Sequence, residues 1–290
     1  MMTKTTLALI VSSTVLVSAC SDSNNDTSDM RTVRASFANL DVLGEDYVYE
    51  GWLITPSGAV SAGRFESSGA ATVFENNASV EDVEVATAYV LTIEPAEDDD
   101  PAPAATHVLA GDLISDAAVL SIAHPAAVGQ DFTAATGVFG LAVPSDNTGT
   151  GSFNNGIWWL QQPGPSAGLS LPLLPDGWVY EGWVVGEDGP ISTGRFTDVA
   201  DADSDGAGET GGSNPGPAFP GQDFINPSPL DLIGLASVIS VEPNPDNSLA
   251  PFGIKPLIDA EIENVGALPA TQPMALVISD NQPTGDIVIQ

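Results

Sequence analysis

Apolar, β-branched and aromatic residues recur along most of the chain in short runs with period-two alternation, broken repeatedly by Gly, Pro, Asn or Asp. Val48-Tyr-Glu-Gly-Trp-Leu-Ile-Thr55 and Val90-Leu-Thr-Ile-Glu-Pro95 are typical. Side chains of an extended chain point alternately to opposite faces, so such runs predict strands. No stretch sustains a helical period, and only short helical turns are expected, around Asp116 to Ala123. Gly and Pro contribute 29 and 23 of 290 residues, well above the roughly 12% of ordinary chains, which favours many strands and turns. The predicted class is all-β, in sandwich-like domains.

The pattern is duplicated. Val48-Tyr-Glu-Gly-Trp-Leu-Ile-Thr-Pro-Ser-Gly-Ala-Val-Ser-Ala-Gly-Arg-Phe65 returns as Val179-Tyr-Glu-Gly-Trp-Val-Val-Gly-Glu-Asp-Gly-Pro-Ile-Ser-Thr-Gly-Arg-Phe196, identical at ten of eighteen positions. Val90 to Pro95 likewise parallels Val238 to Pro243, and Ile157 to Gln161 parallels Ile287 to Gln290. Two β domains are expected, over 34–165 and 166–290. The copies differ by insertions, His124 to Phe132 in the first and Asp198 to Gly221 in the second. Loops on a rigid scaffold diverge first and carry specificity.

Each copy contains a hairpin. A three-residue loop with its glycine in αL pairs Thr55 with Ala59 and Gly186 with Pro190. Glu50 then falls opposite Arg64 and Glu181 opposite Arg195, two structural ion pairs. Trp52, Ile54 and Val60 share their face, while Tyr49, Leu53 and Phe65 take the other. Apolar residues on both faces imply cover on both sides, by the neighbouring copy. Adjacent Trp158 and Trp159 point to opposite faces, one into a core and the other against the second domain, with a sugar-stacking platform as the alternative for the latter.

The start of the chain changes the expected compartment. Lys4 precedes an apolar run from Leu7 to Val17, of signal-peptide length and too short to span a bilayer. Val17-Ser-Ala-Cys20 resembles the lipobox of bacterial lipoproteins, with cleavage after residue 19 and a lipid on Cys20, the single cysteine. Residues 20–33 read as a lipidated cysteine and flexible tether. Ser21 after the cysteine resembles lipoproteins sent to the outer membrane of Gram-negative cells. The membrane is then a partner through the lipid on Cys20.

Charge narrows the partners. With 39 acids against 6 Lys and Arg, the formal charge is −33, so a phosphate-binding cationic stripe is absent and nucleic acid is excluded. Such surface acid also keeps exported proteins hydrated at high ionic strength. Catalytic chemistry is sparse. His107 and His124 are the two histidines and stand in no zinc-binding spacing, and no Gly-x-Ser-x-Gly elbow occurs. The chain reads as non-enzymatic. Asp201, Asp203 and Asp205 precede Gly206, with Glu209 following, as in the opening of an EF-hand calcium loop. The twelfth position is Gly212 and no helices flank it. The segment therefore reads first as a solvated linker, with weak calcium binding as the alternative.

The pattern of Trp52 to Phe65 with Val90 to Pro103, repeated in Trp183 to Phe196 with Val238 to Pro251, resembles the extracytoplasmic C-terminal domain of anti-sigma-K factors. The resemblance implies a β-sandwich outside the cytoplasmic membrane that helps control a sigma factor within. This sequence departs from the family in showing no cytoplasmic helical domain and no transmembrane helix ahead of the sandwich, so holding a sigma factor itself is not expected. The leading expectation is a lipid-anchored cell-envelope binding or sensing module with an envelope protein partner. A structural or adhesive acidic surface lipoprotein is the alternative, and a carbohydrate-active enzyme the third.

Overall fold

The computed structural model describes residues 29–98, 100–277 and 282–290. The expected signal peptide, Cys20 and most of the expected tether lie outside the described residues. The fold is all-β. In the first half, the strands are β1 (Met30–Ala38), β2 (Tyr47–Thr55), β3 (Gly58–Phe65), β4 (Thr72–Ser79), β5 (Ala88–Pro95), β6 (His107–Asp112) and β7 (Ala117–Ser121). They are followed by β8 (Thr136–Leu141), β9 (Gly156–Trp158), β10 (Leu160–Gln161), β11 (Ser166–Ala167) and β12 (Leu169–Ser170). The repeat resumes with β13 (Trp178–Gly186), β14 (Gly189–Phe196), β15 (Gly221–Asp223), β16 (Ala236–Pro243), β17 (Leu257–Asp259), β18 (Gln272–Leu276) and β19 (Thr284–Ile289).

These strands form two large sheets, each rolled into a nearly closed barrel. The first runs β3-β2-β5-β6-β7-β19-β1-β4 and the second β14-β13-β16-β17-β18-β8-β9-β15, with β12 also on β8. The sheets do not divide at 165/166. β8 and β9 belong to the second barrel, and the C-terminal β19 to the first. β19 lies between β7 and β1, with Ala35 opposite Ile287. β8 holds the equivalent place beside β18, and β9 the place of β1. Each copy therefore donates the strand after its β7 or β18 to the other barrel. The shared Thr136-Gly137 and Thr284-Gly285 starts mark this equivalence. At Gly137 a Cβ would crowd Leu257 and Leu169, and at Gly285 it would crowd Phe37.

Other expectations are corrected locally. Residues 30–33, expected to be tether, are instead the start of β1, because Arg31, Thr32 and Val33 pair in the sheet. Asp116 to Ala123 contributes β7 rather than a helical turn, since Ala118 and Leu120 alternate into the core against β19. The described α-helix is instead α1 (Val80–Val85), capped by Ser79, whose hydroxyl accepts from the Asp82 amide at 3.0 Å. Two acids in its first turn suit the helix dipole. Among the described residues no helix is long and apolar enough to cross a membrane.

The hairpin register holds a second correction. Thr55 pairs with Gly58 and Ile54 with Ala59, across a two-residue turn. An extra residue, Ala62, then shifts the ladder, so that Gly51 faces Gly63 and Glu50 faces Arg64. In the second copy Gly186 pairs with Gly189, and a bulge at Thr193 again restores Glu181 opposite Arg195. The loop is thus one residue shorter than read, and the bulge supplies the missing one. Gly63 and Gly194 follow the bulges with φ of +114° and +105°, a region glycine tolerates and other residues rarely adopt. Because a one-residue slip reverses a side chain, Val60 faces the same side as Leu53, not Ile54.

Inside the barrels, the repeated Tyr-Glu-Gly-Trp has a packing cause. Tyr49 and Leu53 point inward, and a Cβ on the intervening Gly51 would lie 1.8 Å from the Tyr89 hydroxyl. At Gly182 the space is taken by Trp159 and Thr193. Tyr49 donates to the Asp41 carbonyl at 3.1 Å and Tyr180 to the Pro172 carbonyl at 2.7 Å, each reaching eight residues back. These inward rings and aliphatic side chains form one continuous core.

Candidate functional site

The outward face of each barrel wall carries the same polar ladder. In the first copy, alternation along β2 sends Glu50 and Trp52 outward, and β5 beside it presents Thr92 and Glu94. The Ser61 hydroxyl donates to Glu50 at 2.5 Å, and Arg64 Nε lies 3.3 Å from the other Glu50 oxygen. Trp52 donates to Thr92 at 2.9 Å, Thr92 donates to Glu94, and the Ala104 amide donates to the same Glu94 oxygen at 2.9 Å. Arg64 completes itself on the Pro95 carbonyl.

The second copy reproduces this rung by rung. Ser192 donates to Glu181, and Arg195 Nε donates to Glu181 at 2.9 Å. Trp183 donates to Ser240 at 2.8 Å, Ser240 donates to Glu242, and the Phe252 amide donates to Glu242 at 2.9 Å. Arg195 differs in its other partner, donating from Nη2 to Asp246 at 2.9 Å. Glu242 Oε2 is buried with no hydrogen-bond partner. Burial pushes the Glu242 carboxyl up to about 7, against hydrogen bonds from Ser240 and Phe252 that lower it, and Glu94 rises for the same cause. Burial opposes the charge of Arg195, but Glu181, Asp246 and Glu242 outweigh it and raise its pKa.

The ion-paired residues Glu50 and Arg64, and Glu181 and Arg195, are thus brought together. The Asp201–Glu209 loop is arranged differently. Asp203 accepts from the Gly221 amide at 2.8 Å, and its carboxyl faces that of Asp205 behind Gly194. Burial first, then the charge of Asp205, pushes Asp203 up to about 7. Asp201, Asp203, Asp205 and Glu209 do not bring three ligand atoms within 4.8 Å of one another; among the described residues, Glu181, Glu242 and Asp246 do. Sequence reasoning missed Glu94, Glu242 and Asp246. The repeated Glu-Pro was visible, but it marked a strand end, and nothing local shows that Glu242 sits beside Glu181.

Both insertions act as covers. Ala126 and Ala127, in the first-copy insertion, pack over Trp52 and Val90, so this barrel's own loop covers the outer face rather than the neighbouring copy. The histidines hold that loop. His107 Nδ1 lies 2.9 Å from the Ala126 carbonyl oxygen, and His124 accepts from the Ala126 amide at 3.2 Å. Trp158 and Trp159 are both fully buried in the second barrel. Trp158 donates to Asp223 at 2.8 Å and lies under Gly216 and Gly221, so it does pack against residues of the second copy, but from within the second barrel, to which β9 itself belongs. The barrels also meet at a cleft of about 440 Å³, walled by Asp41, Val42, Leu43 and Tyr47 from one and Pro245, Asp246 and Phe252 from the other. The Gly253 amide donates to Asp41 across it at 2.7 Å, and Asn247 donates to Asp46 at 2.8 Å.

Geometry therefore defines a duplicated all-β protein whose barrels each carry an outward Trp–hydroxyl–carboxylate rung beside a Glu–Arg pair. Residues 14–108 match the family model of the Anti-sigma-K factor rskA C-terminal domain. The described part of that interval takes in β1 to β5 and the start of β6, including the whole first-copy ladder. No curated protein and no solved structure matches the chain.

Proposed function

We propose that this chain is a non-enzymatic, lipid-anchored module of the cell envelope that binds or senses a partner outside the cytoplasm, in a pathway related to sigma-factor control. The observation that carries this reading is the match of residues 14–108 to the anti-sigma-K C-terminal domain. The cleft between the barrels supports it. Val42, 65% exposed, with the half-buried Leu43 and Tyr47, offers apolar contact beside the acid Asp41, a mixture that suits a protein segment with apolar and basic side chains. The lipid on Cys20 is the anchor in this reading, and the outer membrane of a Gram-negative cell its place. Capture from envelope extract should recover a defined protein, and Val42→Glu should reduce its yield. Recovery of no specific protein would favour the acidic coat-forming alternative. Cys20→Ser should release the protein into the soluble fraction; retention on membranes after a high-salt wash would remove lipid anchoring from the proposal.

A further inference from the structure

The second-copy ladder holds three carboxylates where the first holds two. Glu181, Glu242 and Asp246 each place one oxygen within 4.8 Å of the others. Three atoms no more than 4.8 Å apart share a point within about 2.8 Å of each, so a side-chain adjustment of a few tenths of an ångström brings all three to calcium-ligand distance. A cluster of acids is common on so acidic a chain, and the independent sign is Glu242. It is 0% exposed, and its Oε1 takes the bonds from Ser240 and Phe252 while Oε2 takes none. A buried carboxylate oxygen without a donor is costly, and native sites seldom leave one so. Arg195 does not answer it. Its Nε is committed to Glu181 and its Nη2 to Asp246. Lys255 attracts Glu242 at a distance, its own pKa lowered by burial. In the first copy Arg64 turns to a backbone carbonyl instead of a third acid, and Glu94 has no unpartnered buried oxygen.

We propose that Glu181, Glu242 and Asp246 form a calcium-binding site in the wall of the second barrel. Carboxylate oxygens are hard donors, and calcium accepts irregular sets of them completed by water. Access exists on two sides. Glu181 and Arg195 line a surface cavity of about 630 Å³ with Trp183, Ser192 and Ser204, while Asp246 lines the cleft between the barrels. The Arg195 side chain is 33% exposed and has room in that cavity to turn aside as the ion takes its place between Glu181 and Asp246.

Terbium, a luminescent substitute for calcium, tests this in the full chain. The Trp183 indole is joined to Glu242 through the Ser240 hydroxyl, so excitation of tryptophan should give saturable terbium emission that calcium displaces. Glu242→Gln and Asp246→Asn should each weaken terbium binding by about tenfold or more, and calorimetry with calcium should show the same loss. Asp203→Asn should leave both signals unchanged. Absence of a saturable calcium-displaceable signal, its survival in both ladder variants, or its loss in Asp203→Asn would overturn the site. Melting curves show which variants fold, and should Glu242→Gln fail to do so, Asp246→Asn alone decides.

Discussion

The two ladders differ at one partner of one arginine. Arg64 and Arg195 occupy equivalent positions after equivalent bulges and face equivalent glutamates. Arg64 spends its second contact on the Pro95 carbonyl, whereas Arg195 spends it on Asp246, whose side chain is 4% exposed. A carbonyl acceptor leaves the first copy with two carboxylates and one cation; the second holds three around one. The same scaffold thus supports a satisfied structural ladder in one barrel and an electron-rich one in the other. Duplication lets the first keep the wall together while the second changes its chemistry.

The largest expected effect tests the shared frame on which this comparison rests. Gly51→Ala should destabilise the protein by about 3 kcal/mol in denaturant unfolding, because its Cβ meets the Tyr89 hydroxyl and a packed wall cannot yield. Gly182→Ala should cost less, since its nearest contact is 2.4 Å rather than 1.8 Å. Tyr89→Phe should restore part of the Gly51→Ala loss by removing the closest atom. A silent Gly51→Ala would break the register of the first wall, and with it the equivalence of the ladders.

Next in size is the arginine pair itself. Arg195→Ala leaves the buried Glu181 and Asp246 facing Glu242 without a cation, and should cost about 3 kcal/mol. Arg64→Ala leaves one glutamate still held by Ser61, and should cost about 1 kcal/mol. Both are read from denaturation midpoints. Equal losses would mean that Asp246 does not distinguish the copies.

The smallest effect separates what lies behind the bulges. Gly63 is backed by Asn76 and Phe74, which do not titrate, while Gly194 is backed by Asp203 and Asp205. A carboxyl held at about 7 instead of 3.8 binds its proton more tightly in the folded state. It therefore costs nothing below its unfolded value and progressively more as pH rises to about 7. Asp203→Asn, whose amide can keep the contacts without ionising, should match the wild type near pH 4. At pH 8 it should exceed the wild type by on the order of 1 kcal/mol. A constant difference across this range in melting curves would place no shared proton there.

Much of the fold was legible because strands announce themselves by alternation and the duplication is written in identical residues. Glu50 and Arg64 were correctly paired, but by a loop one residue too long. The turn and the bulge compensate, and only Gly63 with its positive φ distinguishes the two routes. The division at 165/166 followed from matching Ile157 with Ile287, two runs of similar character. Periodicity says that each is a strand and is silent about which sheet receives it. The Thr-Gly starts of β8 and β19 were the available signal. Glu242 and Asp246 were beyond reach for another reason: their environment comes from β13 and from the turn after β16, and no local pattern encodes that convergence.

The traded strands bind the fate of one barrel to that of the other. Ala35 and Ile287 sit side by side in the first sheet although 252 residues separate them, so this barrel cannot close until nearly the whole chain has been made. A cut between β8 and β9 would send each barrel's closing strand away with the other fragment. Long-range closure of this kind slows folding, but it also couples the openings, for releasing β19 or β8 opens one barrel by freeing a strand that stays tethered to the other. The molecule is therefore closer to an internal dimer, sealed by exchanged arms, than to two beads on a string.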